Sequence, residues 1–143
     1  MDRRRFVESG TLALAGLLVA CASRLTTTVR PDDGRVRLPI RNHPELSRPG
    51  GGAIRILPEG ATTPLYVVML ASGEAVTLSP VCKHLGCIVE LSGTEFVCPC
   101  HGSRYALTGV VRKGPTQLPL DRVATRVTAD GIIEIDLDPR RAS

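Results

Sequence analysis

Aromatic residues are scarce in this chain of 143 residues: it has no tryptophan, two tyrosines and two phenylalanines. An excess of one charge is also missing from residues 53–143, which carry nine basic and nine acidic side chains, so the formal charge of +4 belongs to residues 1–52. Nucleic-acid-binding domains combine a basic face with stacking aromatics. The two absences argue against nucleic acid as a partner.

A helical pattern is absent as well, since no stretch beyond residue 25 repeats apolar residues at the 3.6-residue period of a helix. Short apolar runs are divided by turn-forming residues instead, among them Gly60, Gly73 and Gly93. Asp130-Gly131 separates two further runs and is a strong hairpin signal. The pattern predicts one all-β domain over residues 53–143. The runs are AIRIL, LYVVML, AVTL, IVEL, EFV, VATRVTA and IIEIDL.

A long apolar run is also lacking at the N-terminus. The uncharged residues 10–22 would span roughly 20 Å as a helix, short of a hydrocarbon core of about 30 Å. Residues 3–7 read RRRFV, which is similar to a twin-arginine export signal, although a plain basic leader is the alternative. We expect residues 1–22 to be a signal peptide or short anchor.

Cys21 ends the stretch LVAC, which resembles the lipobox of bacterial lipoproteins, where the cysteine is acylated. The alternative is cleavage after the small residues 20–22. Four of the five cysteines lie close together in sequence and Cys21 is the odd one, which favours acylation. We expect an exported protein on the periplasmic side of the bacterial cytoplasmic membrane, held by a lipid or by an anchor.

Residues 23–52 carry most of the surplus positive charge and end in the Pro- and Gly-rich stretch NHPELSRPGGG. Such a composition is typical of a mobile connector. We therefore predict a flexible basic linker over residues 23–52. Its arginines would be solvated or would lie against anionic lipid headgroups at the membrane surface.

Two short motifs carry the metal-binding side chains. Residues 82–87 read CKHLGC, and residues 98–103 read CPCHGS. A hairpin through Ser92-Gly93 would bring the two loops side by side. Each loop offers one thiolate, one imidazole and one spare cysteine. The candidate ligands are Cys82, His84, Cys98 and His101, and the spare cysteines are Cys87 and Cys100.

Two metal groups suit two thiolates and two imidazoles. One tetrahedral zinc ion is the first, but zinc knuckles usually use C-x-x-C, and zinc would leave the spare cysteines without a role. A [2Fe–2S] cluster is the second, because two imidazoles can replace two thiolates on one of its irons. The spacing favours the cluster, one per chain.

Together, CKHLGC and CPCHGS resemble the paired motifs of Rieske iron–sulfur proteins, in particular the disulfide-bearing branch found in cytochrome bc-type complexes. The resemblance implies an antiparallel β-sandwich with two cluster-binding loops. It also implies that Cys82 and Cys98 hold the buried iron, that His84 and His101 hold the outer iron, and that one disulfide joins the two spare cysteines.

The resemblance extends to the residues that would surround the cluster. Leu85 would cap it, Ser103 would donate a hydrogen bond to a bridging sulfide, and Tyr105 would donate one to a ligand sulfur. Pro115 belongs to GPTQLPL, residues 114–120, which is similar to the loop that covers the cluster from a third side. Lys83 departs from the family pattern, which has threonine at this position.

The implied function is one-electron transfer at high potential. The chain would be the iron–sulfur subunit of a quinol–cytochrome c oxidoreductase, with a cytochrome b or other redox subunit, a haem protein acceptor and a quinol as its partners. An exported subunit of another redox enzyme, of the arsenite-oxidase type, is the alternative. A Rieske ferredoxin of an oxygenase is disfavoured, since such sites usually lack the disulfide.

Overall fold

The structure is a computed structural model and describes residues 25–48 and 52–141. Within these residues the chain forms eleven β-strands and a few single 3₁₀ turns, and no α-helix. The strands are β1 Thr26–Val29, β2 Arg35–Pro39, β3 Gly52–Pro58, β4 Leu65–Met69, β5 Ala75–Leu78, β6 Glu90–Ser92, β7 Glu95–Val97, β8 Arg104–Ala106, β9 Val111–Lys113, β10 Arg122–Val127 and β11 Ile132–Asp136.

The strands form two sheets. The larger one has seven strands in the order β1-β3-β4-β5-β10-β11-β2, and the smaller one has four in the order β6-β7-β8-β9. Every neighbouring pair is antiparallel except β1 and β3, which run parallel. The all-β prediction is confirmed, with one parallel edge pair added.

Strand β4 is buried on both faces and separates two cores. Tyr66 and Val68 lie in the core shared with the small sheet, whereas Val67 and Met69 lie in a second core with residues of β2, β3 and β11. Successive side chains of a strand point to opposite faces, so a strand packed on both sides must be apolar throughout. This arrangement explains the unbroken run in LYVVML.

The small sheet packs against the large one through aromatic and aliphatic side chains. The rings of Tyr66 on β4 and Phe96 on β7 lie 4.8 Å apart, centroid to centroid. Phe96 is paired in register with Tyr105 on β8, and both are fully buried. The contacts fix the small sheet, and the loops at its end, against the larger sheet.

The predicted runs match seven strands, β3 to β7, β10 and β11. Turns at Gly60, Gly73, Gly93 and Gly131 have positive φ, as their sequence context indicates. Strands β8 and β9 were not predicted. Neither RYA of β8 nor VRK of β9 contains an apolar run that would reveal a strand in the sequence.

The prediction of a flexible linker over residues 23–52 is wrong for much of its length. Strands β1 and β2 come from this segment and form the two edges of the seven-stranded sheet. Val36, Leu38 and Leu46 are at most 3% exposed and belong to its core. The domain therefore begins well before residue 53.

The sequence signal was masked by charge. In RVRLP the apolar residues Val36 and Leu38 alternate with Arg35 and Arg37, which is the period-2 pattern of a half-buried strand. Those arginines form ion pairs with Asp136 and Glu134 on the neighbouring strand β11. Positive charge here reflects strand pairing, not a solvated connector.

The leader, residues 1–22, and the acylation candidate Cys21 lie outside the described residues. In the described part of the chain, no helix has the length and apolar character needed to cross a membrane.

Candidate metal centre

Both metal-binding motifs form six-residue loops closed by an antiparallel residue pair. Residues 82–87 are closed by an isolated bridge between Val81 and Ile88. Residues 98–103 join β7 to β8 and are closed by the pairing of Val97 with Arg104. We call them the first and second ligand loops.

The two ligand loops share one backbone hydrogen-bonding scheme. In the first, the Cys82 amide donates to the Cys87 carbonyl at 2.7 Å, and the Gly86 amide donates back to the Cys82 carbonyl at 2.9 Å. The second repeats both bonds: Cys98 donates to Ser103 at 2.8 Å, and Gly102 donates to Cys98 at 3.0 Å. The first and fifth positions are thus equivalent in the two loops.

The fifth position of each loop is a glycine in the left-handed region. Gly86 has φ +81° and Gly102 has φ +74°. Glycine adopts this conformation without the steric cost that a Cβ atom brings. It lets each loop turn back sharply enough for both internal bonds to form.

The four candidate ligands divide into a buried pair and an exposed pair. Cys82 and Cys98 are unpaired thiols, each 2% exposed, and the Cys98 side chain is among the neighbours that lower the pKa of the Cys82 thiol. His84 and His101 are exposed, with ring centroids 4.8 Å apart and planes at 88°. The fold brings each pair together from different loops.

A disulfide joins the two loops, as the family resemblance implies. Cys87 and Cys100 are bonded, with Cα atoms 6.5 Å apart. The Cys98 sulfur lies within 4.8 Å of both disulfide sulfurs. Those three cysteines are not a ligand set, since bonded sulfurs offer no thiolate. The disulfide instead holds the second loop against the first.

Tyr105 connects the small sheet to the buried thiols. Its hydroxyl oxygen lies 3.2 Å from the Cys82 sulfur and accepts a hydrogen bond from the Lys83 amide at 3.3 Å. Because the oxygen accepts from the amide, its own proton is free to donate to the sulfur. Tyr105 thus contacts the sulfur of a candidate ligand, and its role towards a bound cluster stays a prediction.

These contacts change the pKa values of both groups. Burial works to raise the pKa of the Cys82 thiol, but its hydrogen bonds, that from Tyr105 foremost, outweigh burial and hold the pKa below its usual value. Burial and the adjoining Cys82 sulfur raise the pKa of Tyr105. The pair therefore favours a thiolate that accepts from a protonated phenol.

Ser103 is fully buried at the end of the second loop. Its hydroxyl oxygen accepts a hydrogen bond from the Thr116 amide at 3.3 Å, and the serine also contributes to lowering the pKa of the Cys82 thiol. The serine thus lies between the buried thiols and the third loop, residues 114–120.

The third loop is hydrogen-bonded to the second ligand loop through Thr116. Thr116 is 5% exposed, whereas Pro115 is exposed. The threonine hydroxyl also accepts from the Leu118 amide at 3.3 Å, which fixes the turn of the loop. Sequence reasoning missed Thr116, although its place in GPTQLPL was a signal that could have found it.

Leu85 lies beside the exposed histidines at the tip of the first loop. Its side chain is 69% exposed, and Leu118 of the third loop is 62% exposed. A cap at Leu85 would therefore lie on the solvent side of the site.

Lys83, the residue that departs from the family pattern, is tied to the body of the domain. Its ammonium group forms an ion pair with the Asp121 carboxylate, just before β10. The Asp121 carbonyl accepts a hydrogen bond from the Ser79 amide at 2.9 Å. Sequence reasoning missed Asp121, which no pattern distinguishes from other surface carboxylates.

The donor set fits a [2Fe–2S] cluster with unequal irons. Two soft thiols stand on the buried side and two imidazoles on the solvent side, each pair brought together by the fold. Hydrogen-bond donors surround the buried sulfur, as is typical of sulfur ligands in clusters. A structural zinc site would need neither this division nor the disulfide beside it.

Comparison with known proteins agrees with this geometry. Residues 50–125, more than half of the chain, match the model of the Rieske [2Fe-2S] domain. The chain is 43% identical over 70 residues to the cytochrome b6-f complex iron-sulfur subunit of Chlorobaculum thiosulfatiphilum, covering 47% of this chain and 39% of that one.

A second relative is the cytochrome b6-f complex iron-sulfur subunit 1 of Synechocystis, 41% identical over 87 residues, covering 56% of this chain and 49% of that one. The chain thus spans 39% and 49% of the length of these two curated relatives. Among solved structures, the cyanobacterial plasma membrane Rieske protein PetC3 from Synechocystis is similar, with 33% identity and a TM-score of 0.51. The match covers 65% of this chain and 92% of that one. Motifs, fold and relatives agree: the chain belongs to the Rieske family, whose cofactor is a [2Fe–2S] cluster.

Proposed function

We propose that this protein transfers single electrons as the iron–sulfur subunit of a quinol-oxidising, cytochrome b-containing complex of the cytochrome bc type. One observation carries the proposal: two loops joined by a disulfide bring together two buried thiols and two exposed imidazoles. The names of its relatives support the choice of complex, since they are subunits of cytochrome b6-f complexes.

Cys82 and Cys98 would hold the inner iron, and His84 and His101 the outer iron. When bound, the cluster accepts and releases one electron at a time. The burial of the two cysteines would keep water from the inner side of the site. The exposure of the two histidines would place the outer side where a redox partner can approach.

The histidines would also hold protons. The ring nitrogen that does not face iron remains available at each exposed imidazole. An added negative charge nearby raises the proton affinity of an imidazole. A quinol at this surface could then give its electron and its proton at one place.

Ser103 and Tyr105 would stabilise the reduced state. The Tyr105 hydroxyl lies 3.2 Å from the Cys82 sulfur, and the buried Ser103 contributes to lowering the pKa of that thiol. Hydrogen bonds to sulfur are stronger when the sulfur carries more negative charge, so they favour reduction. Leu85, exposed at the tip, would limit solvent access to the histidine side, and the third loop would do so from its own side.

We also propose that the protein works on the periplasmic side of the cytoplasmic membrane. The sequence RRRFV at residues 3–7, the apolar residues 10–22 and Cys21 support export with lipid attachment or an anchor. Mass spectrometry of the mature N-terminus tests this. An acylated Cys21 would support a lipoprotein, an intact Met1 an uncleaved anchor, and an unmodified N-terminus just after residue 22 would contradict attachment to the membrane.

The proposed function is tested on the full chain expressed in a host that assembles iron–sulfur clusters. Two irons and two labile sulfides per chain, with the electron paramagnetic resonance signal of a reduced [2Fe–2S] cluster, are expected. One zinc and no sulfide would overturn the ligand proposal. We expect the protein to purify from native membranes together with b-type haem. A redox enzyme of the arsenite-oxidase type as the sole partner would overturn the choice of complex.

A further inference from the structure

Lys83 stands in the sequence between two proposed ligands, Cys82 and His84, and adds a positive charge to the first ligand loop. Its side chain is 29% exposed, so much of its stem is covered by the protein. The ammonium group reaches across to Asp121, 38 residues further along the chain. Asp121 is 64% exposed and belongs to neither ligand loop.

The same lysine acts on the buried side of the site through its backbone. Its amide donates to the Tyr105 hydroxyl, and this contact leaves the tyrosine proton free for the Cys82 sulfur. Any shift of the Lys83 peptide would disturb that hydrogen bond. The ion pair at the end of the side chain therefore bears on the position of the peptide as well as on the local charge.

Asp121 is a firm attachment point. Its carbonyl accepts from the Ser79 amide, and the following residue, Arg122, pairs in register with Leu78 at the start of the β5–β10 pairing. The first ligand loop leaves β5 only a few residues later. The ion pair thus ties the loop to the same strand pair from which it emerges.

We propose that Lys83 and Asp121 form a positioning pair that sets the reduction potential of the site. Reduction would add one negative charge near Lys83. A neighbouring cation stabilises such a charge, and a neighbouring carboxylate destabilises it. With both residues present, their charges nearly cancel, and the first loop is held in place. This inference rests on the proposed ligand set.

Removing the charges one at a time tests the proposal by redox titration of the cluster-loaded full chain. Lys83→Met should lower the potential, because it leaves the carboxylate unopposed. Asp121→Asn should raise it, because it leaves the ammonium unopposed. Each should change the one-electron equilibrium threefold to tenfold, tenfold being about 59 mV. The double variant should fall between the singles.

Salt separates a charge effect from a purely structural one. The Debye length shortens from about 10 Å at 0.1 M to about 3 Å at 1 M, so both shifts should shrink in concentrated salt. Lys83→Arg, which keeps the charge, should stay nearer to the parent potential than Lys83→Met. If Lys83→Met does not retain a cluster, Asp121→Asn carries the test alone, since it changes no residue of either ligand loop.

Arg126→Met is the matched control. Arg126 also pairs with a carboxylate, that of Glu134, but lies four residues further along β10 from Arg122. Its removal should leave the potential unchanged. Shifts of Asp121→Asn and Lys83→Met in the same direction, or no larger than that of Arg126→Met, would overturn the proposal.

Failure of this inference is distinguishable from failure of the proposed ligand set. A parent protein that holds zinc would refute the ligand set, and the pairing inference with it. A parent protein with a normal [2Fe–2S] signal and variants of unchanged potential would refute only the role of Lys83 and Asp121.

Discussion

The two ligand loops have the same backbone but use it differently. Both place a cysteine first and a positive-φ glycine fifth, and both close with the same two hydrogen bonds. The histidine is third in the first loop and fourth in the second, so the two imidazoles are not equivalent. The shared backbone geometry thus gives the two cysteines equivalent places in their loops. The two histidines have different places because they stand at different positions in the motifs.

The loops also differ in what supports them. The first loop is contacted from outside its own sequence, by Tyr105 and Asp121. The second contains its own buried hydroxyl, Ser103, and meets the third loop through Thr116. One loop is held by the rest of the domain, and the other contributes part of its own support. Variants in matched pairs can test how far this comparison holds.

The largest effect is expected at the histidines. His84→Ala and His101→Ala should each abolish the [2Fe–2S] signal, because each removes one of two proposed ligands on the outer iron. Both side chains are exposed, so the fold should survive, as circular dichroism can check. His43→Ala, at the histidine that lies outside both ligand loops, should keep the cluster. A cluster retained in either loop variant would contradict its ligand role.

Removing the disulfide should have the next largest effect. Cys87→Ser and Cys100→Ser should each lower the free energy of unfolding by about 3 kcal/mol, by the chain-entropy estimate for a loop of this length. Chemical denaturation measures the loss, and the visible spectrum reports how fast the cluster is lost. Equal stability of parent and variants would mean that the loops hold together without the bond.

The supporting hydroxyls compare the two loops directly. Tyr105→Phe removes the support of the first loop, and Ser103→Ala that of the second. A hydrogen bond to a charged group contributes about 1.5–3 kcal/mol. If each hydrogen bond stabilises the reduced state by that much more than the oxidised state, the reduction potential of each variant should fall by roughly 60–130 mV.

Tyr66→Phe is the control for those variants, since Tyr66 is buried against Phe96 in the core below the site. Redox titration of Tyr66→Phe should give a reduction potential near that of the parent protein. An unchanged potential in Tyr105→Phe or Ser103→Ala would refute the role of that residue alone.

The smallest effect is expected at the glycines. Gly86→Ala and Gly102→Ala should each cost roughly 1 kcal/mol of stability, because alanine is strained at positive φ. An added Cβ would meet no atom within 4 Å at either position, so the cost is conformational only. Thermal unfolding should give similar losses for both, and Gly86→Asn should cost less. A much larger loss at one glycine would show that the loops are not equivalent.

Local pattern was sufficient for the parts of the molecule that are local. The runs around Tyr66 and Ile133 alternate or stay apolar over enough residues to reveal strands, and Gly131 marks the hairpin turn between β10 and β11. The same holds for the metal-binding side chains, because the spacing inside a six-residue loop is set by that loop. Repeated Cys and Gly positions in the two motifs were visible in the sequence as well.

Other features could not be deduced from local pattern. Arg35 pairs with Asp136, 101 residues away. The positive charge of the N-terminal segment looked unpaired because such distant carboxylates cannot be recognised as partners in the local sequence. Thr116 and Asp121 are ordinary residues in sequence and gain their roles only from the loops beside them. Prediction failed where a residue's environment is built by distant strands.

The sequence by itself determined an all-β domain, the donor atoms and their grouping in two loops, because strand period and ligand spacing act over a few residues. Only the tertiary structure decided that β1 and β2 complete the large sheet and that the thiols are buried while the imidazoles are exposed. It also decided that Lys83 faces Asp121. The reason is physical: burial and charge pairing depend on which strands become neighbours, and sheet pairing here joins residues far apart in the chain.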